Sequence, residues 1–179
     1  MKEKKDKKQK KLNASSNKIF QNKYSKKIFK ALIATILGGI IYVNYDYVID
    51  GDTIKVQGQS IRLFAIDAPE KNQLCYKKNI PWECGAKAKQ VLEEIIGNQK
   101  ITCIPKAKDK YQRTVAICFA GTIEINRQMI KQGYAVAVTE FGGKDYLLDE
   151  AFARNKKLGI WQGKFELPSL WRKQQKQQH

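Results

Sequence analysis

Four carboxylates and a guanidinium crowd one stretch of the chain, Asp50-Gly51-Asp52-Thr53 followed by Arg62-Leu63-Phe64-Ala65-Ile66-Asp67-Ala68-Pro69-Glu70. Carboxylate oxygens suit a hard cation, and a guanidinium fork grips an anion through parallel N–H donors. A second arginine lies in Lys110-Tyr111-Gln112-Arg113, far enough downstream to close on the first across a folded barrel. Oxygen ligands beside guanidinium groups point to chemistry on a phosphate. Taken alone, Arg62 and Asp67 read as a surface ion pair on a strand. Asp50 alone reads equally well as the cap of the Gly51 turn. Zinc and iron are not suggested, because the cysteines lack Cys-x-x-Cys spacing and the one histidine is the terminal His179.

Those side chains need a scaffold, and the pattern from Tyr47 onward is mostly strand. Residues 48–49, 53–56 and 60–66 are short and β-rich, with turns at 51–52 and 57–59. Residues 83–96 read as a helix, since Ala86, Ala88, Val91, Leu92, Ile95 and Ile96 recur near the helical period and Gly97 stops it. Strands over 100–105 and 114–120 follow, then a helix over 125–132, a short strand over 134–138 and a helix over 146–157. The expected class is α+β, mainly β: a five-stranded Greek-key barrel of the OB type with about three helices.

A hairpin folding about Lys110-Tyr111 sets Cys103 directly opposite Cys118, close enough to bond in favourable cases. Cys75 and Cys84 would close a small loop in the same way. Four buried free thiols are the alternative. The even number and an export-like N-terminus favour two disulfides and an oxidising compartment.

The charge is unevenly spread. Of the net +17, the first 30 residues hold +10, from twelve lysines against Glu3 and Asp6, and the rest hold +7. The remainder is a solvated basic face or the footprint of a polyanionic partner. Residues 1–27 are too polar to bury a core of their own. Residues 31–43 are a charge-free run of thirteen, short of the roughly 20 needed to span a bilayer. It reaches that length only if Lys30 snorkels and Tyr42, Tyr45 and Tyr47 sit at the interface. An uncleaved signal anchor is preferred because no Ala-x-Ala site follows the run; a cleaved signal and a buried first strand remain as alternatives. Lysines before the run would keep the arm in the cytoplasm and put the C-terminal domain outside.

The ordered set of Asp50-Gly51-Asp52-Thr53, Arg62, Asp67, Glu70 and Lys110-Tyr111-Gln112-Arg113, closed by Gly159-Ile160-Trp161-Gln162-Gly163 and Trp171-Arg172, resembles the staphylococcal nuclease (thermonuclease) family. The similarity covers residues 42–172. It implies a Ca²⁺-dependent endonuclease cutting DNA and/or RNA with little base specificity, with no protein partner. By the same resemblance Asp52, Asp67 and the carbonyl of Ala68 would be metal ligands, with Asp50 behind them. Many relatives have Thr at the position of Ala68; a main-chain contact tolerates the change. Glu70 would be the general base, stiffened by Pro69, and Arg62 and Arg113 would grip the phosphate. Gln112 stands where relatives often have Gly, which puts the loop carrying Arg113 in a different shape.

Lys110, Tyr111 and Tyr134 are candidates for stacking a base or holding a flanking phosphate, with packing an equal alternative. Trp82, Trp161 and Trp171 read as packing residues. The competing function is a non-catalytic nucleic-acid-binding OB-type module, which would be expected to lack part of the set Asp52, Arg62, Asp67, Glu70 and Arg113. A lipid-binding surface module would leave that set without a purpose. The expected organisation is a basic arm (1–27), a signal anchor or signal peptide (28–45), a nuclease domain (46–172) and a polar tail (173–179). The chain reads as an exported bacterial protein, anchored to the membrane with its nuclease domain outside the cytoplasm, or secreted.

Overall fold

The structure is a computed structural model that describes residues 46–177, so the expected arm (1–27) and apolar segment (28–45) lie outside the described residues. The strand leading into Asp50 begins at Tyr47, after that segment. No helix among the described residues is long and apolar enough to cross a membrane.

Strands β1 (Tyr47–Asp50), β2 (Thr53–Val56) and β3 (Gln59–Leu63) form an antiparallel meander. The β2–β3 turn is Gln57-Gly58, both with positive φ, 49° and 80°, the twist that a two-residue hairpin requires. The chain then runs through β4 (Ile66–Asp67), a β5 (Cys75–Lys77) and β6 (Ile80–Trp82) hairpin, and helix α1 (Cys84–Ile96). It re-enters the sheet as β7 (Ile101–Lys108) and β8 (Thr114–Ala120), with β9 (Ile123–Glu124) alongside β8. The sheet order is β1-β2-β3-β8-β7, with β3 and β8 parallel and the other neighbours antiparallel. This curled, mixed half-barrel is the OB-type α+β fold that the pattern predicted. Helix α2 (Ile125–Lys131), β10 (Val136–Ala137), α3 (Leu147–Asn155) and α4 (Pro168–Gln177) complete the described residues.

The core lies between the sheet and helices α1 and α2. Ile54, Leu63 and Ile66 from the strands meet Leu92 of α1 and Ile125, Met129 and Ile130 of α2, all essentially without exposure. Each such side chain contributes about 1.5–3 kcal/mol by leaving water. Gly51 lets the β1–β2 turn approach closely: a Cβ there would lie 2.7 Å from the Cβ of Ala68 and 2.9 Å from that of Ala88.

Both expected disulfides are present, Cys75–Cys84 and Cys103–Cys118, with Cα separations of 5.6 and 4.1 Å. Cys103 and Cys118 are direct register partners on β7 and β8, as the hairpin required.

Three expectations change. The single strand over 60–66 breaks after Leu63, because Ala65 takes a left-handed φ of 59°. The break is held from outside the strand. The Val138 N–H donates to the Ala65 carbonyl at 2.9 Å, and buried Asn126 donates from Nδ2 to the Phe64 carbonyl at 3.0 Å. Next, the short β5–β6 hairpin was not legible, since it is pinned mainly by the disulfide and by reciprocal Tyr76–Lys164 backbone bonds of 2.7 and 2.8 Å. Finally, residues 173–177 are not a separate tail. They continue α4, a fourth α-helix among the described residues. Pro168 starts that helix, where its missing N–H has no intrahelical partner to lose.

Candidate active site

The break at Phe64-Ala65 is what builds the site. It turns β4 off the main sheet to pair with β10, so Asp67 swings back beside Arg62. Asp52 arrives from the β1–β2 turn, Glu70 from the loop after β4, and Arg172 from α4.

Asp52 is 3% exposed and Asp67 is 4% exposed, so each carboxylate needs partners inside the protein. Arg62 serves both: Nη1 donates to Asp52 Oδ1 at 2.5 Å and Nη2 donates to Asp67 Oδ1 at 2.8 Å. Asp52 Oδ1 also accepts from Thr53 Oγ1 at 3.0 Å, and its Oδ2 accepts from the Ala68 N–H at 3.1 Å. Asp50 accepts the Asp52 N–H at 3.1 Å, so it caps the turn while its charge bears on the site from behind.

Sequence reasoning gave Arg172 no role. It donates from Nη1 to Asp67 Oδ1 at 2.9 Å and to Glu70 Oε1 at 2.6 Å, and from Nη2 to Asp67 Oδ2 at 3.1 Å. A lone arginine in a polar C-terminal segment carries no spacing signature, and its partners are about a hundred residues away in sequence. The Trp171-Arg172 pair was the only available signal.

Glu70 is seated by backbone contacts. Its N–H donates to Gln73 Oε1 at 3.2 Å, while the Gln73 N–H donates back to the Glu70 carbonyl at 2.8 Å. Gln73 is itself fully buried and donates from Nε2 to the Glu166 carbonyl at 2.7 Å. The first turn of α1 presses on the same segment: a Cβ on Gly85 would fall 1.7 Å from the Glu70 carbonyl oxygen. Gln73 and Gly85 are positioning residues that the sequence did not mark.

Arg113 stands apart from this cluster. It immediately precedes Thr114, which opens β8 opposite Ile61, one residue from Arg62 on β3. Its guanidinium is held by Asp109, with Nε to Oδ2 at 2.7 Å. Asp109 also accepts the N–H groups of Tyr111 and Arg113 on Oδ1, both at 2.9 Å, and so shapes the whole turn. Burial pushes the Asp109 carboxyl upward, but the hydrogen bonds from Arg113 and Tyr111 outweigh it and leave its pKa lowered. Gln112 occupies a left-handed φ of 62°, a conformation that glycine adopts most readily. Tyr111 is 63% exposed, with Lys110 Nζ 5.0 Å and the Arg113 guanidinium carbon 5.6 Å from its ring centre. Tyr134 packs against the main core, and burial followed by the charge of Glu94 raises its phenol. It joins neither group.

The electrostatics of the cluster follow from burial. Burial pushes the Asp52 carboxyl up; Arg62 pulls it back, but Asp50 and Asp67 push with the burial, and the result is about 7. Burial works against the charge of Arg62 and of Arg172, yet the carboxylates they touch hold both above the ordinary arginine range.

Asp50, Asp52, Asp67 and Glu70 against Arg62 and Arg172 leave a formal deficit of two positive charges. All the acidic donors are oxygens, which matches a hard divalent cation in charge and in chemistry. Among the described residues, no three His, Cys, Asp or Glu side chains already converge as a ligand group. A cation here would need the Ala68 carbonyl and solvent besides Asp52 and Asp67.

The fold and site together define an OB-type half-barrel carrying a carboxylate–guanidinium cluster built from β3, β4, the β1–β2 turn and α4. The model of the family described as staphylococcal nuclease homologue matches residues 60–163, and the chain belongs to that family. The match includes Arg62, Asp67, Glu70 and Arg113 and stops short of Arg172. A Haemophilus influenzae protein named an uncharacterized endonuclease is 34% identical over 134 residues, covering 71% of this chain and 70% of its own. The succinoglycan biosynthesis protein ExoI of Rhizobium meliloti is 32% identical over 122 residues, 66% of this chain and 64% of its own. The thermonuclease of Staphylococcus intermedius is 32% identical over 126 residues, 64% of this chain and 73% of its own.

Proposed function

We propose that the protein is a nuclease, an endonuclease hydrolysing phosphodiester bonds of DNA and/or RNA with little base specificity and using Ca²⁺. The observation that carries this reading is the convergence of Arg62, Asp52, Asp67 and Glu70 in one cluster, with Arg172 bridging Asp67 and Glu70. Family membership and the nuclease names of two of the relatives described above support it.

Asp52 and Asp67, with the Ala68 carbonyl, would hold the cation. When bound, Ca²⁺ neutralises charge on the phosphate. Arg62 and Arg113 grip phosphate oxygens and stabilise the charge that builds on phosphorus during in-line attack. Each such donor accounts for about 3–4 kcal/mol of barrier. Glu70 accepts the proton of the attacking water. Before the cation binds, Arg172 orients Glu70 through Oε1 and leaves Oε2 without a guanidinium partner. Lys110 and Tyr111, exposed on the turn that carries Arg113, hold the neighbouring strand by charge and stacking. Such contacts to backbone and base faces carry little sequence information.

The domain is exported, with residues 28–45 as signal anchor or signal peptide and the arm in the cytoplasm. Two disulfides suit an oxidising compartment.

Plasmid digestion by the full chain, with calcium or with chelator, beside Glu70→Gln, tests the mechanism. Cutting that needs calcium and falls by roughly two to three decades in the variant supports it. Calcium-independent cutting or an unimpaired variant rejects it, and binding without cutting favours the non-catalytic module. Protease shaving of intact cells tests the topology: a protected nuclease domain rejects export.

A further inference from the structure

We propose that Arg172, which bridges Asp67 and Glu70, is an internal cation that competes with a divalent ion for Asp67, and that helix α4 is the arm that carries it. This rests on the calcium reading above and adds a linked device to it. The Arg172 fork meets Asp67 with both prongs, Nη1 to Oδ1 at 2.9 Å and Nη2 to Oδ2 at 3.1 Å, and Nη1 also meets Glu70 Oε1 at 2.6 Å. Arg62 already donates to Asp67 Oδ1 at 2.8 Å. A carboxylate oxygen has about two acceptor sites, so Oδ1 is filled and Oδ2 is the acceptor that remains. A divalent ion drawn to that oxygen meets the positive charge of Arg172 at close range.

Of α4, Pro168 alone is fully buried, Trp171 and Gln175 are half-buried, and Leu170 is 44% exposed, with Leu167 just before it 43% exposed. Docking of the helix therefore leans in part on the ion pairs of Arg172. Two occupants that disfavour one another at a shared site are linked reciprocally. Removing the guanidinium tightens the ion, and adding the ion loosens the helix. In the absence of the ion, Arg172 keeps two neighbouring carboxylates satisfied.

Calorimetric titration of the full chain with calcium chloride, for the native protein, Arg172→Gln and Arg172→Lys, tests the first half. Hydrogen exchange over residues 168–177, with and without calcium, tests the second in the native protein and needs no variant. The expected result is a calcium affinity at least about fivefold tighter in Arg172→Gln, with Arg172→Lys in between. Calcium should also speed exchange in α4 of the native protein. Unchanged or weaker affinity in a folded Arg172→Gln, or exchange in α4 that calcium slows, overturns the inference and leaves the calcium reading standing. No calcium binding by the native protein overturns both.

Discussion

Two basic groups beside the paired strands β3 and β8 are held in opposite ways. Arg62 sits among carboxylates delivered by the β1–β2 turn and β4, beside Arg172 from a helix at the far end of the chain. Arg113 is held by Asp109, four positions away, within a turn that one carboxylate organises by itself. The first arrangement exists only when distant segments pack, and it buries Asp52 and Asp67. The second forms locally, with Asp109 and Arg113 half-buried and Lys110 and Tyr111 exposed. Burial of its two aspartates makes the first sensitive to loss of a partner, whereas the second depends on one carboxylate four residues away.

Removing each anchor should separate the two most clearly. Arg62→Ala leaves two buried carboxylates without their shared cation, so stability should fall by about 3 kcal/mol in urea denaturation. Cutting should fall by roughly two to three decades as well. Arg113→Ala should cost similar activity with little stability; equal destabilisation by the two variants would erase the contrast.

Acidity offers a second probe of the buried cluster. The Asp52 carboxyl is raised from 3.8 to about 7 in the fold, chiefly by burial. Between those values the folded chain keeps a proton that the unfolded chain has released, so stability should decline as pH rises through that window. The effect is on the order of a few kcal/mol, read from denaturation midpoints in chelator at successive pH values. Asp52→Asn should flatten this slope; an unchanged slope would place the titration elsewhere.

Smaller effects should come from the turn. Asp109→Ala removes the acceptor for two backbone N–H groups and the Arg113 guanidinium, and should cost about 1 kcal/mol because the site is near the surface. Its larger consequence should be a raised KM, since Arg113 loses its aim. Smallest of all, Gln112→Gly should be stabilising by about 0.5–1 kcal/mol, because a left-handed φ of 62° suits glycine. A destabilised Gln112→Gly would mean that the Gln side chain supports the turn.

The legible parts of the molecule share one property: their determinants are neighbours in sequence. Helical spacing from Ala86 to Ile96 marked α1 to within a residue, and the distances of Cys103 and Cys118 from the turn predicted their register. The strand expected over 60–66 was misread because Phe64-Ala65 has no local turn signal. An alanine takes its left-handed conformation there because Asn126 and Val138 hold the carbonyls on either side of the bend. Helix α4 was missed because only Leu170 and Trp171 are apolar after Pro168, and Arg172 because an arginine does not announce its partners.

The order of residue types along the chain was therefore enough to establish which chemistry is present: acids, guanidinium groups and paired cysteines at family spacing on an OB-type barrel. Which of those groups share charge, how far Asp52 is driven from its ordinary acidity, and that α4 returns to touch Glu70 were decided by folding alone. Residue type and spacing are properties of the chain. Desolvation and contact between remote segments arise only once water has been excluded and the core has closed.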